Sequence, residues 1–347
     1  MSDNTGIEWC DSTWNVVVGC DKVSPGCDHC YAIRTAHRMQ ANPNPKVSEP
    51  YSGTEIGGEW TGRVNLVADR LDMPLRWRKP RKIFVNAQSD LFHDQVPDEY
   101  IAKVFAIMAL APQHTFQVLT KRHGRMRALL RSERFQLQVE AEQYRQRPDG
   151  RPTTRDWPLR NVWAGVSTEN QKWADIRIPA LLDTPAAVRF ISAEPLLGPI
   201  DLLGDTGNPG PAIVRTGVQL HPDGPWGPAE YDHDDQIGID WVIVGGESGP
   251  GARPMHPDWA RTLRDQCTVA GVPFLFKQWG AFRPIDHGCI ECATLYVERE
   301  TGRTATDDDM WNVTGGHWWG VERVGKKRAG RELDGRTWDE YPEVSRG

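Results

Sequence analysis

Three cysteines crowd into eleven residues, in the run Cys20-Asp-Lys-Val-Ser-Pro-Gly-Cys27-Asp-His-Cys30-Tyr31. The gaps are six residues and then two, on a loop whose Gly and Pro permit a tight path. Three thiolates on such a loop can converge on one centre, and soft sulfur donors suit iron–sulfur, zinc or Cu(I). A structural zinc normally takes a fourth protein ligand. Three cysteines leave a cubane 4Fe–4S cluster with one open iron, the arrangement an enzyme needs to coordinate a small molecule at its cluster. The expectation is therefore an iron–sulfur centre on Cys20, Cys27 and Cys30. The alternatives are a zinc loop completed by His29 or a distant residue, and three free thiols.

A second group is the glycine-rich turn Gly245-Gly246-Glu247-Ser248-Gly249-Pro250-Gly251. Glycines there let backbone amides approach a ligand closely. Glu247 is a candidate ligand-binding residue, or an N-cap partner in an ordinary loop. Ser89 and Asp90, Lys121 and Arg122, Ser167 and Glu169, Glu194, and Lys277 and Gln278 follow other β-branched or aromatic runs. In a barrel these would converge on one pocket of mixed charge, suited to a polar substrate or a zwitterionic cofactor. Asp90 with His93 is a conceivable metal pair, or an ordinary loop. Cys289 and Cys292, with His287 and His317, form a candidate second zinc or cluster site, or a reduced pair in a turn. Cys10 and Cys267 read as packing residues. Two basic runs, from Lys121 to Arg131 and from Arg76 to Lys82 beside Trp77, could meet a phosphate backbone, or could be solvated faces.

The elements that would position these groups alternate. Strand-like runs occupy Thr13 to Val18, Lys82 to Val85, Thr115 to Leu119, Asn161 to Val166, Val188 to Ile191, Asp240 to Val244 and Pro273 to Phe276, with a weaker one from Arg63 to Val67. Most are continuously apolar, as strands buried on both faces are. Helical patterns fall between them: Tyr31 to Gln40, one opened by Pro97, Arg122 to Arg131, Gln171 to Leu182, and one opened by Pro257 and stopped at Gly271. On the Gln171 helix the spacing puts Trp173, Ile176, Ala180 and Leu181 on one side. This alternation is the βα-unit signature. It predicts an α/β fold, a TIM-like (β/α) barrel, complete or partial, over residues 1–280; an open doubly wound sheet is the alternative. Insertions are expected at 133–158, with a helix at Glu133 to Arg145, and at 203–238. Residues 281–347 read as a small appended region that packs on the barrel or covers its mouth.

Composition sets wide limits. The 347 residues are 39% hydrophobic and 25% charged, enough for a sizeable core. The formal net charge of −6 gives no global basic field for nucleic acid. Fifteen Trp are many, and are expected in the core or stacked in clefts. Residues 1–12 have no apolar stretch of the signal-peptide kind, and no run approaches a membrane span. A cytoplasmic protein with reduced thiols is expected, and there clustered cysteines favour metal over disulfides.

The cysteine motif and its position resemble the radical S-adenosylmethionine superfamily, which carries three cysteines after the first strand of a (β/α) barrel. The usual spacing there is C-x3-C-x2-C, and this chain has six residues in the first gap. More closely, the chain is similar to a phage- and bacteria-encoded three-cysteine-motif family of uncharacterised function. That likeness rests on Trp14-Asn15, Cys20 to Tyr31, Asn86 to His93, Phe116 to Arg122, Asn161 to Val166, Ser192 to Gly198, Trp241 to Pro254, Phe276 to Gly280 and Gly325 to Trp338. The superfamily resemblance implies a 4Fe–4S cluster on the three cysteines and S-adenosylmethionine chelated at the fourth iron. One electron from a donor then yields a 5′-deoxyadenosyl radical that takes hydrogen from substrate, while the protein excludes water and orients the reacting carbon. It also implies a cofactor role for a Gly-Gly-Glu turn, although that turn usually follows the second strand and here follows a late one. The substrate is expected to be a nucleotide or nucleic acid, and the compartment to be the host cytoplasm if the chain is phage-encoded. The rival readings are a non-catalytic iron–sulfur or zinc protein that binds nucleic acid, and a hydrolase using Asp90 and Glu194 without a cluster.

Overall fold

The computed structural model describes residues 5–146, 154–203, 238–285 and 293–343. The described residues build a seven-stranded sheet of β1 (Ser12–Trp14), β2 (Lys82–Val85), β3 (Thr115–Thr120), β4 (Val162–Ser167), β5 (Val188–Ala193), β6 (Trp241–Gly245) and β7 (Phe274–Gln278). Every neighbouring pair is parallel, and spatial order equals chain order. Consecutive order without reversal is the barrel pattern, not the doubly wound one. The sheet stops at seven strands, so it is a half-barrel. The connecting helices include α1 (Tyr31–Gln40), α2 (Asp98–Leu110), α3 (His123–Leu130), α4 (Glu133–Gln146), α5 (Gln171–Leu182) and α6 (Pro257–Ala270).

Strand alternation sorts the side chains into two buried layers. Ile83, Val85, Phe116, Val118, Val162, Val166, Val242 and Phe274 face the helices and join the main core. Phe84, Trp163, Phe190, Trp241, Ile243 and Leu275 point to the opposite, inner face. Trp9 plugs that face, with its ring centroid 4.5 Å from Phe84 and 6.4 Å from Trp241. The inner floor is thus aromatic and filled, which leaves open space only toward the carboxyl ends of the strands.

Two expected strands differ. The run Thr13 to Val18 breaks after Trp14, because the Asn86 side-chain Oδ1 accepts hydrogen bonds from the amides of Val16 and Val17 at 3.0 and 3.1 Å. Val17–Val18 then turns to pair antiparallel with Asn65–Leu66. The weak strand at Arg63 to Val67 therefore belongs to that small pairing and not to the barrel. Helix α5 keeps the expected bounds with Pro179 inside it, but Ile176 is exposed and Arg177 takes the buried face.

Beyond β7, the segments β8 (Phe282–Pro284), β9 (Leu295–Glu298), β10 (Thr304–Ala305) and β11 (Trp318–Arg323) form a separate antiparallel sheet. The chain then returns to the half-barrel. The Phe276 amide donates to Trp338 O at 3.0 Å, so residues 338–340 run antiparallel along the outer edge of β7. Most of the 203–238 insertion, as well as His287, Cys289 and Cys292, lies outside the described residues. No helix among the described residues is long and apolar enough to cross a membrane.

Candidate functional site

The cysteine loop sits at the carboxyl end of the half-barrel, after Val17–Val18 and before α1. It begins at Gly19, whose φ of +92° and 2.1 Å approach of its would-be Cβ to Arg63 O admit only glycine. A 3-10 turn spans Pro25–Cys27, and Cys30 is the N-cap of α1. All three cysteines line a cavity of about 420 Å³. Ser89 and Asp90 after β2, Lys121 after β3, Glu194 after β5, Glu247 and Ser248 after β6, and Lys277 near the end of β7 line the same cavity. Of the strand-end groups expected to converge, Ser89, Asp90, Lys121, Arg122, Ser167, Glu194, Lys277 and Gln278 line this cavity, whereas Glu169 is fully buried behind it. Gly246 lines it as well, while Gly245 stands beside it, its would-be Cβ 2.5 Å from Glu194 Oε1.

Two ion-paired arms hold the loop. On one side, Glu169 Oε1 accepts from Ser24 Oγ at 2.6 Å, and its Oε2 is 2.9 Å from Arg177 Nη1. Both side chains of that pair are fully buried, so breaking it would strand a charge at a cost of roughly 3–5 kcal/mol. Gly26 rests directly on Glu169: an added Cβ would lie 2.4 Å from Oε1. On the other side, Arg253 binds Glu247 through Nε to Oε2 at 2.9 Å and Nη2 to Oε1 at 2.7 Å. The same guanidinium donates to Pro25 O at 2.8 Å and to Asp28 Oδ2 at 3.2 Å. Glu247 therefore positions Arg253 on the cysteine loop, and both of its oxygens are engaged. Ser248 contributes its carbonyl to Arg34 of α1, at 3.5 Å. Arg253 and Arg177 carry no sequence signal of their own: their acid partners stand six and eight residues away, but the contacts that tie these pairs to the cysteine loop span 228 and 145 residues.

The remaining groups divide by sign. Asp90 accepts from Thr120 Oγ1 at 2.7 Å, from the Phe92 and Lys121 amides at 3.0 Å each, and from Arg122 Nη1 at 3.4 Å. Lys121 Nζ donates to Ser167 Oγ at 3.1 Å, with Glu169 Oε1 at 3.6 Å. Lys277 Nζ pairs with Glu194 Oε1 at 3.0 Å. Burial opposes the Lys277 charge, yet Glu194 outweighs it and holds its pKa above the ordinary value. Ser89 is structural, its hydroxyl donating to Val17 O at 2.7 Å. His93 accepts the Gln95 amide at Nδ1, which places its proton on Nε2, and burial lowers its pKa.

Burial raises the thiol pKa of Cys20 to about 12, against the opposing pull of Arg122. Burial raises that of Cys30 too, against the Ala32 amide and Lys121. Such thiols give up protons readily only to a metal. Among the described residues, no three His, Cys, Asp or Glu side chains surround one point as a single metal ion requires. A cubane sets a different condition, because each sulfur binds its own iron and the sulfurs stay well apart.

The basic runs are largely spent within the chain. Arg122 pairs with Asp21 and Asp90, Arg125 with Asp98, and Arg127 and Arg131 with Asp183. Arg76 pairs with Asp72, Arg81 stacks over Trp77, and Lys82 lies over the ring of Tyr341. His317 is exposed and paired with Glu300.

No curated protein and no solved structure matches the chain. One family does, across residues 4–342, and by that match the chain belongs to the family described as "Protein of unknown function (DUF5131)".

Proposed function

We propose that this protein is a radical S-adenosylmethionine-like iron–sulfur enzyme. Cys20, Cys27 and Cys30 would hold three irons of a 4Fe–4S cluster and leave the fourth open. The observation that carries the reading is that the three thiols line one cavity together with acids and bases from five other strand ends. The donor set suits the cluster: three soft thiol donors on one loop that line one cavity. When bound, the cluster and S-adenosylmethionine would supply one-electron cleavage and a hydrogen-abstracting carbon radical.

The chain's own residues have separable tasks. Glu169 with Arg177, and Glu247 with Arg253, hold the cysteine loop against the half-barrel. The rim sets Lys121 and Lys277 beside Asp90 and Glu194, a mixed-sign lining that suits a zwitterionic cofactor and a charged, nucleotide-like substrate. The floor of Trp9 and Phe84 bars water from beneath. An electron donor is required as partner.

Anaerobic purification or reconstitution with iron and sulfide tests this directly. The expected protein is brown, with close to four irons per chain on the cubane stoichiometry, and Cys27→Ala loses most of them. Reduced protein given S-adenosylmethionine should then release 5′-deoxyadenosine. A colourless protein with stoichiometric zinc would sink the proposal.

A further inference from the structure

We propose that Arg122 positions the Cys20 sulfur and raises the reduction potential of the cluster. This rests on the iron–sulfur reading above. Arg122 Nη1 lies 3.7 Å from Cys20 Sγ, within hydrogen-bond range for sulfur. It contributes the side-chain N–H donor to Cys20, and its side chain is only 10% exposed. In so sheltered a place a charge-assisted hydrogen bond acts at low dielectric.

The guanidinium is held from both sides. Its Nη2 binds Asp21, and Nη1 also reaches Asp90 Oδ2 at 3.4 Å. Asp90 is itself fixed by Thr120 and by the Phe92 and Lys121 amides. Swinging Arg122 away from Cys20 would break these contacts too, so the N–H···S geometry is built into the ends of β2 and β3. Hydrogen bonds to cluster sulfurs, and charge nearby, are among the terms that set iron–sulfur potentials. Reduction adds negative charge to the cluster and its thiolates. A fixed cation donating to one thiolate stabilises the reduced form more than the oxidised one, and so moves the midpoint upward.

The test compares reconstituted full-length wild type with Arg122→Gln and Arg122→Lys, by iron content and a spectroscopic redox titration. Expected is a midpoint shifted to more negative potential in Arg122→Gln, with a smaller shift of the same sign in Arg122→Lys, which keeps the charge but loses the planar fork. If Arg122→Gln fails to retain iron, Arg122→Lys carries the comparison. Unshifted midpoints at wild-type iron content overturn the role of Arg122 and leave the cluster standing. A wild type that takes up no iron overturns both. Loss of iron from both folded variants overturns the claim on the potential.

Discussion

At the scale of single residues, the site depends on contacts that cross long stretches of chain. That the three cysteines share one cavity was legible, because their spacing set them on a single loop directly after a strand. The arms that hold the loop were not, because Arg253 meets Pro25 and Asp28 only after the half-barrel forms. Glu247 shows the difference: its place in a Gly-Gly-Glu turn suggested a ligand contact and it lines the cavity, but nothing in that turn announced its ion pair with Arg253. Under the proposed iron–sulfur reading, with the pair working as one unit, Glu247→Gln and Arg253→Met should each lower iron retention several-fold, and the double variant should lose little more than either. Additive losses in iron-to-protein ratio would separate the two residues. Gly26 makes a sharper case. A Cβ there would strike Glu169, which Arg177 and Ser24 keep from moving. Gly26→Ala should therefore cost about 1–3 kcal/mol, as overpacking does, and an unaltered thermal midpoint would refute the contact.

Elements were read more securely than contacts. Continuous apolar runs marked β2 through β7, and Pro257 and Gly271 marked α6, which ends with Gly271 at φ +63°. What failed at this scale was the single strand from Thr13 to Val18, interrupted by a side chain, Asn86, far along the chain. On α5, an apolar count could not show that Arg177 belongs inside, because its partner Glu169 neutralises it there. The start of α6 carries a pH dependence. His256 is its N-cap, with Nδ1 accepting the Asp258 amide at 3.1 Å, and the ring sits buried near Trp259 and Trp319. Burial lowers its pKa from 6.5 to about 4, with Arg299 and Arg261 adding to the effect and Asp258 and Glu300 opposing it. The unfolded chain therefore takes up this proton at higher pH than the native one. The stabilisation is complete above pH 6.5 and is lost as pH falls toward 4. A tenfold change in proton affinity is about 1.4 kcal/mol, so the contribution is on the order of 3 kcal/mol. His256→Asn keeps a good cap without the titration. Urea unfolding across that range should give a flatter profile for the variant than for wild type; parallel profiles would exclude His256 as the source.

At the scale of the whole molecule, a half-barrel has an edge problem that a closed barrel lacks, since its last strand presents unpaired amides. The sequence pattern showed a barrel-like alternation and an appended C-terminal region, but not how the open edge is covered, because the tail has no apolar run that reads as a strand. The structure covers it with residues 338–341. Glu340 O accepts from Trp241 Nε1 at 2.8 Å, and Glu340 Oε2 accepts the Phe274 amide at 3.0 Å. Tyr341 then spans the gap to the N-terminal segment: its ring lies 5.1 Å from Trp241 and its hydroxyl donates to Glu8 O at 3.2 Å. A chain ending at Thr337 would leave the amides of Phe274 and Phe276 and the Trp241 indole without these partners. It would also uncover aromatic surface beside the floor. Net hydrogen-bond losses near 1 kcal/mol each and partial exposure of large aromatic rings add to roughly 3–5 kcal/mol. That loss should appear as a lower thermal midpoint together with self-association through the bared edge, read by size-exclusion chromatography. The damage should start at the floor, far from Cys20, Cys27 and Cys30 at the mouth. On the proposed iron–sulfur reading, the shortened chain is therefore expected to take up as much iron below its lowered midpoint as the full chain does, and an unchanged midpoint with unchanged elution would show that the tail merely lies against the sheet.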